Sequence, residues 1–393
     1  MKANDQCQAL REVAALFLKL GTIAFGGPAA HIAMMEEEVV RRRRWLSHEE
    51  FLDLLGATNL IPGPNSTEMA IHIGHRRAGW LGLLVAGICF IVPATVIVIV
   101  CAWAYVRFGK LPSAEGMLYG IKPVVIAIVS QALWNLGKTA VKSAFLGLLG
   151  LGMAALAFLG VHELALLFLT GFFAALSCVG KFGHAKNVSM ALLLPGMGNP
   201  ILGASTVAAA GAATSAVPFG LLPLFLFFLK VGAVLYGSGY VLLAFLRNDL
   251  VERFGWLSEA QLIDAIAVGQ FTPGPVFTTA TFIGYLLGGV PAGVIATIGI
   301  FLPAFVFVAI SGPLVPRIRR SPLAGAFLDG VNAASLALMA VVTMQLIRAA
   351  VVDSVTIVLS LISLVALMKW RLNSAWLIAG GAAVGLIKAA IAS

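Results

Sequence analysis

Two short proline–glycine–proline segments carry the residues of this chain that are best suited to chemistry. Pro62-Gly63-Pro64 and Pro273-Gly274-Pro275 both interrupt apolar segments. Proline removes a backbone donor and clashes with the preceding helical turn, so each segment should break a helix. The helix that restarts after the break exposes N–H groups and a partial positive charge, which together can bind an anion. Kinks that serve only packing are the alternative, but the recurrence of the break favours a role in binding.

The two breaks are followed by different residues, since the second is followed by Val276, Phe277, Thr278 and Thr279. Asn65, Glu68 and His72 follow Pro64, and the amide of Asn65 can donate to an oxyanion. Glu68 and His72 are four residues apart and share one helix face, where a carboxyl beside a histidine suits proton coupling. A structural pair, or a Glu68 that neutralises Arg76 or Arg77, explains the same residues equally well.

Two lysines lie within apolar segments at matched positions, Lys19 and Lys230. A lysine inside a membrane span costs about 2.5–3.5 kcal/mol on insertion scales, so it should face a cavity, a partner or a ligand unless it reaches an interface. We favour a role in attracting an anion. His31 and the acids at 36–38 lie beside the arginines at 41–44 and are better explained as a solvated loop. The other predicted binding residues, besides the two breaks, are Gly26, Gly27, Pro28, Asn65, Ser66, Thr67, Ser238 and Thr272.

These features belong to a duplicated unit. Phe17-Leu18-Lys19 recurs as Phe228-Leu229-Lys230, and the register holds, with a slip of one residue, as far as Gly120 and Gly330. Chance does not maintain one register over such a distance. Glycine and proline breaks repeated within apolar segments are typical of secondary transporters.

The composition indicates an integral membrane protein. Hydrophobic residues make up 60% of the 393 residues and charged residues only 11%, against roughly 25% charged residues in soluble domains. We predict an all-α fold of two homologous halves with about six apolar elements each, since a spanning helix needs about 20 apolar residues. The first two elements of each half should be re-entrant hairpins or broken helices. The predicted units are a repeat at 1–180, a linker at 181–219 that is either a connector or an extra helix, and a repeat at 220–393.

Several other classes of protein are disfavoured. The net charge of +9 is spread over short loops, which fits the positive-inside rule for cytoplasmic loops better than nucleic-acid binding. The four cysteines show no CxxC spacing, so we predict neither a metal site nor a disulfide framework, and no cofactor. The motifs of metalloproteases, P-loop proteins and serine hydrolases are absent from the sequence, so we expect a protein that is not an enzyme.

Three motifs resemble those of the chromate ion transporter family: Phe25-Gly26-Gly27-Pro28, Arg44-Trp45-Leu46-Ser47, and the segment from Ile61 to Glu68. The resemblance covers nearly the whole chain and includes the two-half layout of the family's long-chain members. It implies a carrier in the cytoplasmic (inner) membrane that exports chromate, driven by the membrane potential or the proton gradient. It also implies a relation to sulfate, which has the same shape. The second copy lacks the asparagine, the glutamate and the intact Gly-Gly-Pro, so the two halves need not bind substrate equally.

Alternative functions follow from the same residues. The substrate could be sulfate or another oxyanion, or the chain could be an anion channel that conducts without a coupling group. A membrane enzyme acting on lipid phosphate would need a nucleophile or metal constellation, which the sequence does not show. The expected partners are a chromate- or sulfate-like oxyanion and the bilayer, with a homodimer left open. We favour inverted over parallel repeats, because broken helices at a pseudo-two-fold axis are common in that class.

Overall fold

A computed structural model describes most of the chain. It covers 3–182, 218–235 and 242–392, apart from Gly26, Asn59, Lys110, Gly160, His162, Arg320, Arg371 and Asn373. Within these residues every regular element is a helix, which confirms the predicted all-α fold. Most of the predicted linker, residues 183–217, lies outside the described residues, so whether it is a connector or an extra helix stays open.

The first half contains seven described helices. These are α1 (Ala3–Ile23), α2 (Gly27–Glu36, continued by a π-helical turn at Glu37–Arg42), α3 (His48–Thr58), α4 (Asn65–Phe108), α5 (Pro112–Ala140), α6 (Ala144–Phe158) and α7 (Glu163–Phe182).

The second half repeats this order. Its described helices are α8 (Leu221–Val234), α9 (Leu242–Phe245, continued by a π-helical turn at Leu246–Arg253), α10 (Glu259–Phe271), α11 (Thr279–Arg319, preceded by a 3-10 turn at Val276–Thr278), α12 (Pro322–Ala350), α13 (Ser354–Lys369) and α14 (Ser374–Ala392). Since α8–α14 match α1–α7 one by one, the prediction of two homologous halves is confirmed.

Glycine turns divide α4 and α11 into two segments each. The chain leaves helical geometry at Gly79 (φ 65°) and at Gly289 (φ 68°), a region of backbone conformation that favours glycine. In the first half, Arg76 at the end of the short segment contacts Glu50 near the start of α3 at 3.4 Å. The start of α3 and the end of that segment therefore lie together, so the Pro62-Gly63-Pro64 break is at the tip of a re-entrant hairpin.

Several helices are suited to a lipid environment. Five described helices are long and apolar enough to cross a membrane: Asn65–Phe108, Ser113–Lys138, Val276–Ser311, Pro322–Arg348 and Ser374–Ile391. α4 and α11 also expose matched apolar stripes, in which every fourth residue points outward from one helix face. The stripes consist of Ile88, Val92, Val96 and Val100 on α4 and Ile298, Leu302, Val306 and Ile310 on α11.

The halves exchange their last two helices. α13 and α14 pack on α5 of the first half, and α6 and α7 pack on α12 of the second. The contact of α5 with α14 is close enough for backbone to meet backbone, because Gly116 and Gly120 face Gly385 and Gly381. Small residues spaced four apart permit such an approach between membrane helices. Neither half is therefore a separately packed body.

α4 and α11 cross at the interface between the halves. Gly87 of α4 lies against Phe305 of α11, whereas the residue that matches Gly87 in the repeat is Thr297. Parallel repeats related by a two-fold axis would bring matched residues side by side, but the observed partner lies about 12 Å further along the helix. This stagger favours an antiparallel crossing and hence inverted repeats, an arrangement that stays a prediction.

Candidate functional site

The interruptions of the two halves contact each other. The N–H of Gly63 donates to the carbonyl of Leu235 at 2.7 Å, and the N–H of Gly274 donates to the carbonyl of Ala24 at 2.8 Å. Ala24 and Leu235 are matched residues that directly follow α1 and α8. Each proline–glycine–proline break is therefore bonded to the end of a helix in the opposite half, and all four interruptions lie at the interface between the halves.

Glycine is required at both breaks for conformation and for space. The φ of Gly63 is 139° and that of Gly274 is 93°, which side chains rarely tolerate. A Cβ on Gly63 would overlap Oε1 of Glu68, and a Cβ on Gly274 would lie 2.5 Å from that of Ala94. The two glycine N–H groups are occupied by the bonds between the halves, so any backbone donors to an anion must be other amides at the start of α4.

A buried polar cluster lies behind the first break. Glu68 is fully buried, and neither of its carboxylate oxygens has a hydrogen-bond partner among the described residues. The same holds for the Thr67 hydroxyl and for Nε2 of His72. Buried polar groups nearly always have partners, so this cluster offers four atoms that a small polar ligand or a proton could satisfy. The structure thus brings together three predicted residues of the first repeat.

The second break has a different polar neighbour. His31 is buried, and its Nε2 lies 3.0 Å from the Ala24 carbonyl that also accepts from Gly274. The expectation that His31 belongs to a solvated loop is therefore wrong, because α2 folds back and carries this histidine to the interface. The predicted hydroxyl of Thr272 donates to the carbonyl of Val268 in its own helix at 2.9 Å.

The two lysines have acidic partners that the sequence analysis missed. Nζ of Lys19 lies 2.8 Å from Glu38, and Nζ of Lys230 lies 2.5 Å from Asp249. Both acids are buried, so the expectation of a solvated loop is wrong for Glu38. The hydrogen bond from Lys19, together with that from Arg43, holds the pKa of Glu38 below its usual value despite burial. The sequence did contain a signal for these pairs, since an acid follows the lysine at the same spacing in both copies.

These pairs change what the lysines can do. The side chain of Lys19 is 48% exposed, and each ammonium is already compensated by a carboxylate. An anion could use either lysine only by competing with that carboxylate. The role of the lysines in substrate binding stays a prediction.

A second polar group joins the halves away from the breaks. Asp264 of α10 is buried, with Nζ of Lys122 at 3.0 Å and the hydroxyl of Tyr105 donating at 2.9 Å. These three residues line a cavity of about 670 Å³ that also includes Tyr119 and Gln261. The sequence analysis predicted no role for Asp264 or Lys122, because their proximity depends on packing between the halves.

The remaining predicted residues lie near the breaks or outside the described part of the chain. Gly27 begins α2 with φ 79°, Pro28 follows it, and Ser66 is buried in the first turn of α4. Asn65 begins α4 and is half-buried. Gly26 and Ser238 lie outside the described residues.

A family model described as chromate transporter matches residues 11–176 and 222–386. The chain belongs to this family. The two matched regions coincide with the two structural halves, and the resemblance drawn from the motifs is confirmed. The chain is accordingly a multi-pass membrane transporter.

Curated relatives agree with this assignment. A chromate transport protein of Cupriavidus metallidurans is 32% identical, over 96% of this chain and 93% of the relative. A chromate transport protein of Pseudomonas aeruginosa is 32% identical, over 91% and 86%. The uncharacterized transporter YwrA of Bacillus subtilis is 34% identical over 71% of its own length but 32% of this chain. No solved structure matches the chain.

Proposed function

We propose that this protein is a secondary active transporter that exports chromate across the cytoplasmic membrane. The membrane potential or the proton gradient drives the export. The oxyanion binds at the re-entrant breaks, close to the start of α4, and Glu68 with His72 couples transport to protons. Sulfate competes for the site because it is a tetrahedral oxyanion of the same charge.

The observation that supports this proposal most directly is the buried polar cluster next to the bonded breaks. A carrier needs a site at the contact between two parts that move relative to each other. Gly63, whose N–H bonds across the interface, is also the residue against which the Glu68 carboxylate rests. Movement between the halves would therefore change the surroundings of Glu68 directly. Two relatives that cover nearly the whole chain are named chromate transport proteins, which favours chromate as the substrate.

A non-coupled anion channel is the second candidate. Re-entrant hairpins that meet between two halves could also line a fixed pore. A channel would follow the membrane potential alone, and a substitution of Glu68 would leave its conduction unchanged. The complete burial of Glu68 favours the carrier, because a channel gains nothing from a carboxylate that is closed off from solvent.

Chromate uptake into everted membrane vesicles tests the proposal. Vesicles with and without the protein are energised, and accumulation is measured with and without excess sulfate. The pH gradient is then imposed alone, with the membrane potential clamped by potassium and valinomycin. Movement of chromate under the pH gradient alone, reduced by sulfate, is the expected result.

The other outcomes separate the candidates. Accumulation that follows the potential but never the pH gradient would favour the channel. An absence of chromate accumulation in vesicles that accumulate sulfate would contradict the substrate assignment. A lack of transport of both anions would contradict the oxyanion function.

A further inference from the structure

Among the residues that the structure describes, no side chain compensates an ionised carboxylate at Glu68. Both of its oxygens are buried and make no hydrogen bond within the described part of the chain. An isolated charge in such surroundings is costly unless it is paired or neutralised. The nearest source of positive potential is the start of α4 itself, since Glu68 lies in its first turn.

The same helix start is where an oxyanion would bind. Oε1 of Glu68 reaches back beyond the start of α4 to Gly63, so the carboxyl lies in front of the helix. The buried hydroxyl of Thr67, the preceding residue, also has no partner among the described residues. An ionised Glu68 and an oxyanion would compete for one positive helix end and would repel each other. A protonated Glu68 would instead offer an O–H donor to the oxyanion.

The charged groups on neighbouring elements do not relieve this conflict. Acids and bases on the helices that pack against α4 are exposed or paired with other side chains, and His31 bonds the Ala24 carbonyl. On α4 itself, His72 lies one turn beyond Glu68, and Arg76 and Arg77 pair with Glu50 and Glu12. The titratable or charged side chains that the structure describes on the packed elements are Asp5, Cys7, Arg11, Glu12 and Lys19 on α1, His31 and Glu36 on α2, His48, Glu49, Glu50 and Asp53 on α3, Glu259 and Asp264 on α10, and Tyr285 on α11.

We propose that the oxyanion and a proton bind together at the start of α4, with the proton on Glu68 and its O–H donating to the oxyanion. This inference rests on the proposed oxyanion site and deepens it. The proton comes from solvent as the site closes on the anion, and both leave together when the site opens on the other side. Anion and proton therefore move in the same direction, and the complex of a dianion with one proton carries one negative charge. Of the two proposed driving forces, this selects the membrane potential for export, because a pH gradient alone would drive chromate towards the alkaline side.

A calorimetric titration of the purified full-length protein tests this inference. Chromate is added at pH 8, where the free anion is the dianion, in buffers that differ in ionisation enthalpy. The dependence of the measured heat on the buffer gives the number of protons taken up. Because the structure leaves an ionised Glu68 uncompensated, the titration is repeated at increasing pH. Once the pH is high enough to ionise Glu68 in the free protein, we expect uptake of about one proton per chromate and an affinity that falls about tenfold for each pH unit.

Three variants assign the proton. Glu68→Gln keeps the shape and a donor, so it should bind chromate without proton uptake and with an affinity independent of pH. The same titration of His72→Gln shows whether the histidine, rather than Glu68, takes up the proton. Glu49→Gln, which removes an exposed carboxylate on α3, serves as the matched control and should behave like the native protein.

The outcomes distinguish the inference from the proposed function. Chromate binding without proton uptake at a pH where infrared spectroscopy shows an ionised Glu68 in the free protein would overturn the inference and leave the oxyanion site in place. Loss of the uptake in His72→Gln rather than Glu68→Gln would overturn the assignment to Glu68. No binding of chromate or sulfate by the native protein would overturn the proposed oxyanion site together with the inference.

Discussion

At the scale of single residues, the two lysine–acid pairs join α1 and α8 to the π-helical turns that follow α2 and α9. Replacing Lys19 with Met would leave Glu38 buried without its main partner. We expect the free energy of unfolding to fall by about 1–2 kcal/mol, less than for a fully buried pair because half of the Lys19 side chain is exposed. The double variant Lys19→Met/Glu38→Gln should recover most of this loss. Thermal unfolding of the detergent-purified protein measures both.

The surface pair of Lys142 with Asp329 provides the control, because the lysine is largely exposed. Lys142→Met should change stability by less than about 0.5 kcal/mol. An equal loss in Lys142→Met and Lys19→Met would show that burial of Glu38 does not matter.

The pair also predicts how stability depends on pH. The pKa of Glu38 is lower in the folded protein than its usual value, chiefly through the hydrogen bond from Lys19. Folding therefore favours the ionised carboxylate, and its contribution to stability is present at neutral pH. This contribution is lost as the pH falls below the usual range of a glutamate towards the lowered pKa. Stability of Glu38→Gln between pH 7 and pH 4 should decline less steeply than that of the native protein, and identical slopes would contradict the prediction.

Gly63 is constrained both by its positive φ and by the lack of space for a side chain at its position. Gly63→Leu should abolish transport, because the side chain would displace the Glu68 carboxyl and force an unfavourable φ. Insertion should be unaffected, since the apolar segments are unchanged. Transport in vesicles and the amount of protein in the membrane are the two measurements. Gly152→Leu, at a position with open space around it, should transport normally, and normal transport by Gly63→Leu would reduce the break to a packing feature.

At the scale of elements, the features that the sequence predicted are those that depend on interactions within a few residues of the chain. The breaks at Pro62-Gly63-Pro64 and its repeat follow from proline and glycine geometry, which acts over a few residues. The contact of Gly274 with Ala24 could not be predicted, because it joins residues from opposite halves through packing. The burial of Glu38 depends in the same way on the π-helical turn after α2 returning to Lys19 of α1. The repeat did contain a usable signal, since an acid occupies matched positions 38 and 249.

The close contact between α5 and α14 predicts that a larger residue at Gly381 destabilises the protein. The neighbouring Gly380 provides a matched control. A Cβ on Gly381 would lie 2.6 Å from the Gly120 carbonyl oxygen, whereas a Cβ on Gly380 would meet nothing within 4 Å. Gly381→Leu should lower the free energy of unfolding by about 1–3 kcal/mol or more, because backbone cannot repack as a side chain can. Gly380→Leu should be close to neutral. Thermal unfolding compares them, and equal stability of the two variants would rule out a close approach of these helices.

At the scale of the whole molecule, the reciprocal bonds between the breaks and the exchange of the last two helices couple the halves. Each break is held by the opposite half, so neither hairpin can shift alone. If the halves are inverted, the motion that loosens one break on one side of the membrane has a counterpart that loosens the other break on the opposite side. This relation would give alternating access from one duplicated unit.

Labelling from the two sides of the membrane tests the inverted relation. Glu49 and Ala260 are matched, exposed residues near the starts of α3 and α10. Each is replaced by cysteine in a background whose four native cysteines are serine, and right-side-out and everted vesicles are treated with a thiol reagent that does not cross the bilayer. In inverted repeats the two cysteines face opposite sides, so Glu49→Cys and Ala260→Cys should react in opposite vesicle preparations. Reaction of both in the same preparation would establish parallel halves, and alternating access would then require a rocking motion about an axis along the membrane normal.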